Sequence, residues 1–153
     1  GPDDVFLATR GLRTIGLRMR QHNENGLKIA KWLQDRPEVE TVMHPGLPRH
    51  PTHDLWKRDF SGACGLFGVE LKKNFSEEAI AVMLDDLKYF GMGASWGGFE
   101  SLILRTNPAA IRVATRDQWE NAGPTLRIHA GLEDTEDLIA DLDEGFARLN
   151  AHK

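Results

Sequence analysis

Leu12, Ile15, Met19, His22, Gly26, Ile29 and Leu33 follow one another at steps of three and four. That spacing marks one face of an α-helix, with Arg13, Arg18, Arg20, Lys28 and Lys31 mostly off it. A helix from Leu12 to Asp35 would be about 36 Å long. Pro37 closes it, because the residue before a proline avoids the helical region. Pro2-Asp3-Asp4 has the look of the first turn of a shorter leading helix, with Gly11 marking the break between the two. The apolar seam reads more economically as core than as a partner surface.

Two later segments change the period from 3.6 to 2. In Leu66–Lys72, Phe67, Val69 and Leu71 share one face of a strand; in Thr125–Ala130, Leu126 and Ile128 alternate with Arg127 and His129. Shorter strands are expected at Val39–His44 and Glu100–Leu104. Ser76 and Asp134 are N-caps for helices that turn Ile80, Met83, Leu84 and Leu87, and then Leu138, Ile139, Leu142, Phe146 and Leu149, inward. Pro45–Asp54 reads as loop, as does the glycine-rich stretch Gly91–Gly98, while Thr106–Trp119 is loop or helix. This order predicts an α+β fold: a mostly antiparallel sheet covered on one face by helices, the other face left open.

With 153 residues and 41% hydrophobic content the chain supports one domain and a real core. A net charge of −4 is not the footprint of a nucleic-acid binder, and the apolar runs are too short for a membrane span. The opening residues lack a signal-peptide pattern and Cys64 is the lone cysteine, which points to a cytoplasmic protein without a disulfide or a cysteine metal cage.

Chemistry-bearing residues are few. His44, His50 and His53 sit in a proline-rich stretch without the spacing of a zinc site, and read as a solvated loop. Gly91–Gly98 lacks the ending of a phosphate-binding loop. Trp96 within it either packs back on the core or lines a cleft. Cys64, between small residues, reads as a buried small hydrophobe. Ser95 has no assignable base. Arg127, on the non-core face of its strand, is either a solvated surface charge or a carboxylate clamp, whose planar fork offers two parallel donors.

Four ordered stretches decide between these options: Arg10-Gly11-Leu12-Arg13-Thr14, Trp56-Lys57-Arg58-Asp59-Phe60-Ser61-Gly62, Ala94-Ser95-Trp96-Gly97-Gly98-Phe99-Glu100-Ser101-Leu102 and Leu126-Arg127-Ile128-His129-Ala130-Gly131-Leu132-Glu133-Asp134. Together they resemble the C-terminal small domain of the cystathionine β-lyases, pyridoxal-phosphate (PLP) enzymes of cysteine and methionine metabolism, over nearly the whole chain. Tryptophan after the serine favours the β-lyase branch, since related γ-synthases and γ-lyases typically carry leucine there. Ala94 departs from the aromatic residue often found at its position.

The resemblance implies the small domain of a fold-type I PLP enzyme, with residues 1–36 as a leading helical segment linking to a large domain and residues 37–153 as the α+β small domain. Arg127 would bind the substrate α-carboxylate, assisted by the backbone N–H of Trp96, whose ring would shape the pocket. Ser95 would orient the Schiff-base lysine. The reaction implied is α,β-elimination of cystathionine to homocysteine, pyruvate and ammonia, a step of methionine biosynthesis, with pyridoxal 5'-phosphate as electron sink. That cofactor, its lysine and its phosphate-binding residues would belong to the large domain. None of the seven lysines here (Lys28, Lys31, Lys57, Lys72, Lys73, Lys88 and Lys153) falls in a segment matching it, so the chain alone should be inactive. The parent would be a homo-oligomer, a tetramer by resemblance, acting on thioether amino acids. The competing readings are a non-catalytic amino-acid or carboxylate-binding module and an interaction domain using the Leu12–Leu33 seam.

Overall fold

The alternating segments become the two central strands of a five-stranded sheet. The computed structural model describes residues 1–152. In it β2 (Leu66–Leu71) pairs antiparallel with β5 (Thr125–His129), Phe67 opposite Ile128 and Val69 opposite Leu126. β1 (Val39–Met43) adds antiparallel to β2, and β4 (Leu102–Thr106) antiparallel to β5. A two-residue β3 (Gly91–Met92) completes the order β1-β2-β5-β4-β3, running parallel to β4. The sheet is therefore mixed. β3 carries no alternation to read, because two residues are shorter than one period of a strand.

Helices close one face. α2 (Ile15–Gln34), α4 (Glu77–Asp85) and α6 (Thr135–Ala151) supply Ile29, Leu33, Ile80, Met83, Leu138, Leu142, Phe146 and Leu149 to a core shared with Val42, Phe67, Val69, Leu71, Ile103, Leu126 and Ile128. Both expected caps form: Ser76 Oγ accepts from the Ala79 N–H at 3.2 Å, and Asp134 accepts from the Glu136 N–H at 2.8 Å. The α+β class and the one-sided helical cover agree with the sequence. Among the described residues no helix is long and apolar enough to cross a membrane.

The N-terminal helix is divided otherwise than expected. α1 runs Pro2–Leu12, straight through Gly11, and the break falls at Arg13–Thr14. The Gly11 carbonyl accepts from the Thr14 N–H and from Arg18 Nη2 at 2.8 Å, which ends one helix and starts the next. The seam is also only half core: His22, Gly26, Ile29 and Leu33 are buried, whereas Leu12, Ile15 and Met19 are exposed. Spacing defines a face but not how far a partner extends along it.

Two short helices lie where loop was expected or left open. α3 (His53–Asp59) follows the prolines, and α5 (Pro108–Ile111) is capped by Asn107, with a 3-10 turn at Arg116–Gln118 after it. His44 is not solvated. It follows β1 directly and is buried, its ring 5.5 Å from that of Phe67 and its Nδ1 accepting from the Gly46 N–H at 3.0 Å. Cys64, conversely, is exposed, since the core side of its segment is taken by the close approach of Gly65 to Ala130.

Candidate functional site

The open face of the sheet carries Thr41, Met43, Leu66, Gly68, Glu70, Leu104, Arg127 and His129, by register with the core residues between them. Arg127 stands in the central strand, opposite Gly68 on one side and Leu104 on the other. Gly68 has no side chain, and the Met43 side chain fills the space above it, where a Cβ would meet Met43 Cε at 2.9 Å. A cavity of about 340 Å³ opens beside Arg127, with Met43, Leu66, Ile111, Arg112 and Trp119 among its walls. No aspartate or glutamate lines it.

Ser95 and Arg127 come together. Arg127 Nη2 donates to the Ser95 carbonyl at 2.8 Å, leaving Nε and Nη1 of the guanidinium for an incoming anion. Ser95 Oγ accepts from the Gly98 N–H at 3.2 Å, closing a bend that Gly97 completes at φ +122, a left-handed conformation that glycine adopts without strain. Trp96 sits on that bend and is 91% exposed, so it neither packs on the core nor lines the cavity within this chain. The bend is held through backbone atoms, and nothing on its outer side covers the ring.

His129, expected on the open face, is buried there. Its Nε2 donates to the Gly98 carbonyl at 2.9 Å, and its ring lies 5.1 Å from that of His22. Burial pushes His129 below the usual histidine value of 6.5; the Gly98 hydrogen bond and Glu133 oppose this, and His22 and Arg127 add to it. Burial likewise lowers His44, opposed by its own backbone hydrogen bond and helped by His50. The unfolded chain then binds more protons than the fold below pH 6.5. The stability these two rings contribute is whole above that pH and lost as pH falls toward their folded values. The urea midpoint is expected to hold between pH 8 and 7 and to drop between about pH 6.5 and 5; a midpoint flat over that interval would contradict it.

A larger groove, about 790 Å³, lies against α3 and does not include Arg127. Two of its polar side chains are engaged in holding its wall: Asn23 Oδ1 accepts from the Ala63 N–H at 2.8 Å and Trp56 Nε1 donates to the Gly62 carbonyl at 3.1 Å. Sequence reasoning passed over Glu133 and Asn25, which tie the glycine loop and α2 to the end of β5. The partners that do this, the Ser101 N–H and hydroxyl for Glu133 and the Gly131 and Glu133 carbonyls for Asn25, are distant in sequence and leave no local pattern.

Comparison with known proteins places the chain in a family. A profile of the "Cys/Met metabolism PLP-dependent enzyme" family matches residues 1–147. The chain is 51% identical over 149 residues to the cystathionine beta-lyase MetC of Escherichia coli (strain K12), covering 96% of this chain and 38% of that protein. It is 37% identical over 153 residues to the cystathionine gamma-lyase of Bos taurus, covering 97% and 37% respectively. Among solved structures, the cystathionine gamma synthase of Xanthomonas oryzae pv. oryzae in complex with aminoacrylate and cysteine superposes with a TM-score of 0.85 at 38% identity, over 99% of this chain and 40% of that one. The chain thus spans about two-fifths of the length of these relatives, and the residues around Arg127 lie within the matched part.

The family's cofactor is PLP. Lys28 and Lys88 pair on the surface with Glu136 and Glu144, and no described lysine lines the cavity at Arg127. What the cavity offers is two guanidiniums, Arg127 and Arg112, against largely apolar walls, a chemistry that can receive an anion. The open face with its arginine, the profile match and the length-wide similarity converge: this chain belongs to the Cys/Met metabolism PLP-dependent enzyme family.

Proposed function

We propose that this chain is the substrate-carboxylate-binding small domain of a PLP-dependent carbon–sulfur β-lyase of fold type I. The enzyme cleaves cystathionine to homocysteine, pyruvate and ammonia. The observation that carries this reading is the Arg127 guanidinium, fixed at one nitrogen by the Ser95 carbonyl and presenting its other donors to a cavity without acidic side chains. In it Arg127 holds the α-carboxylate, the Trp96 N–H adds a donor while its exposed ring shapes the pocket, and Ser95 orients the lysine of the large domain.

Residues 1–36 form the link to that domain and residues 37–153 the small domain, with α2 from His22 onward serving both. Val5, Phe6, Leu7, Leu12, Ile15 and Leu17 are exposed large apolar side chains along the link. Patches of this kind are usually covered. Here the large domain and further copies in a homo-oligomer are the covering surfaces.

The test is to incubate the 153-residue chain with PLP and cystathionine, trap any lysine adduct with borohydride and assay pyruvate, and then add the separately produced large domain. No specific adduct and no pyruvate from the chain alone, with turnover on addition, is the expected result. A single modified lysine with turnover by the chain alone would overturn the division of labour, and tight amino-acid binding without cofactor or turnover would favour a non-catalytic carboxylate-binding module.

A further inference from the structure

The bend from Ser95 to Gly98 carries the carbonyl that holds Arg127, yet it has no regular secondary structure of its own. Its position is set from its far end. The Gly98 carbonyl accepts from His129 Nε2 at 2.9 Å, and the Phe99 carbonyl from the Leu132 N–H at 2.9 Å. Ser101 donates its N–H and its hydroxyl to the two oxygens of Glu133, at 2.8 and 2.7 Å, and its hydroxyl accepts from the Gly131 N–H at 2.8 Å. The packing leaves no room at Gly131, where a Cβ would lie 2.3 Å from Glu133 Oε2 and 2.4 Å from the Phe99 carbonyl oxygen.

α2 holds the other side of the same turn. His22 Nδ1 donates to the Ala130 carbonyl at 2.9 Å, and Asn25 Nδ2 donates to the Gly131 and Glu133 carbonyls at 2.9 and 3.0 Å. A carbonyl only accepts, so His22 Nδ1 and His129 Nε2 each carry a hydrogen. The other two ring nitrogens, His22 Nε2 and His129 Nδ1, are buried without a hydrogen-bond partner. The two rings lie in contact, 5.1 Å between centroids, so α2 backs the histidine that holds Gly98.

We propose that His129, braced by His22 of α2, is a positioning residue for the Arg127 clamp: its hydrogen bond fixes Gly98 and through it the Ser95 carbonyl. The consequence is that α2 is coupled mechanically to the substrate site. The inference rests on Arg127 being the carboxylate clamp, so the test carries a separate control for that reading.

The probe is 3-(methylthio)propionate, a thioether carboxylate without an amine, used as a competitive inhibitor of the full-length enzyme that contains this chain. His129→Phe keeps a ring and loses the donor to Gly98; His129→Gln keeps a donor. The inhibition constant is expected to rise about tenfold in His129→Phe, the effect of one hydrogen bond. kcat should change by less than about twofold and His129→Gln should recover most of the loss. Unchanged inhibition in His129→Phe, with inhibition abolished in an Arg127→Ala control, overturns the positioning role alone. Unchanged inhibition in Arg127→Ala overturns the clamp and this inference with it. If His129→Phe does not fold, His129→Asn takes its place, since its shorter amide stops at the position of ring Nδ1 and has no donor at that of Nε2: unchanged inhibition there overturns the proposal.

Discussion

Arg127→Ala in the full-length enzyme is expected to lower kcat/KM for cystathionine by about 2–5 kcal/mol, a loss of roughly 30-fold to several thousand-fold. The size follows from the site. Arg127 is half-buried in the central strand, and in an alanine variant no side chain replaces its fork. A carboxylate arriving there would be stripped of water against Met43, Leu66 and Ile111 without the fork that the Ser95 carbonyl fixes in place, Arg112 being the one guanidinium left in the wall. Cofactor content should not change, because no described lysine reaches this cavity. Arg127→Lys should recover only part of the loss, since an ammonium is a point charge and cannot hold the Ser95 carbonyl and both carboxylate oxygens in one plane. Steady-state kinetics beside a PLP absorbance spectrum make the measurement. Wild-type kinetics in Arg127→Ala would remove this residue from the site.

The second large effect concerns stability, at a residue far from any motif. Asp141 lies on α6 and is 3% exposed, yet it pairs with no arginine or lysine side chain among the described ion pairs. Its carboxylate accepts from three successive backbone N–H groups: Lys88 at 2.9 Å, Tyr89 at 2.8 Å and Phe90 at 3.3 Å. These residues follow α4 and lead into β3 and the glycine loop. Asp141→Ala would leave all three donors unsatisfied, and each such loss costs about 1–3 kcal/mol. A destabilisation of about 3–5 kcal/mol is expected, read as a fall in urea midpoint with the slope unchanged. Asp141→Asn should be milder, because its amide keeps one accepting oxygen. A cost below about 1 kcal/mol for the alanine variant would show that the turn is held by packing instead.

The elements legible in the sequence are those whose own side chains carry a period. β2 and β5 alternate cleanly, and α4 and α6 pair an N-cap with an apolar stripe; all four appear where expected to within a residue or two. β3 and α3 were not legible. β3 exists because Gly91 and Met92 come alongside β4, and α3 forms behind Pro48 and Pro51, where proline signals masked a seven-residue helix. His44 illustrates the same limit: a histidine among prolines has the composition of a loop, and only the position of Phe67 places its ring in the core.

The site divides in the same way. Alternation with Leu126 and Ile128 placed Arg127 off the core face, and the order of short motifs tied it to Ser95 and Trp96 as a resemblance. The contact of Arg127 with the Ser95 carbonyl, the burial of His129 against His22 and the grip of Glu133 on Ser101 had no sequence signal. What the sequence determined by itself was local: which segments are helix or strand, and which of their faces is apolar, because backbone geometry repeats every two or 3.6 residues. The tertiary structure decided how far each apolar face is covered and which backbone atom each buried polar side chain meets. Those partners lie 30 to more than 100 residues apart in the chain, so only the packing of α2 and the glycine loop against the end of β5 brings them within hydrogen-bond reach.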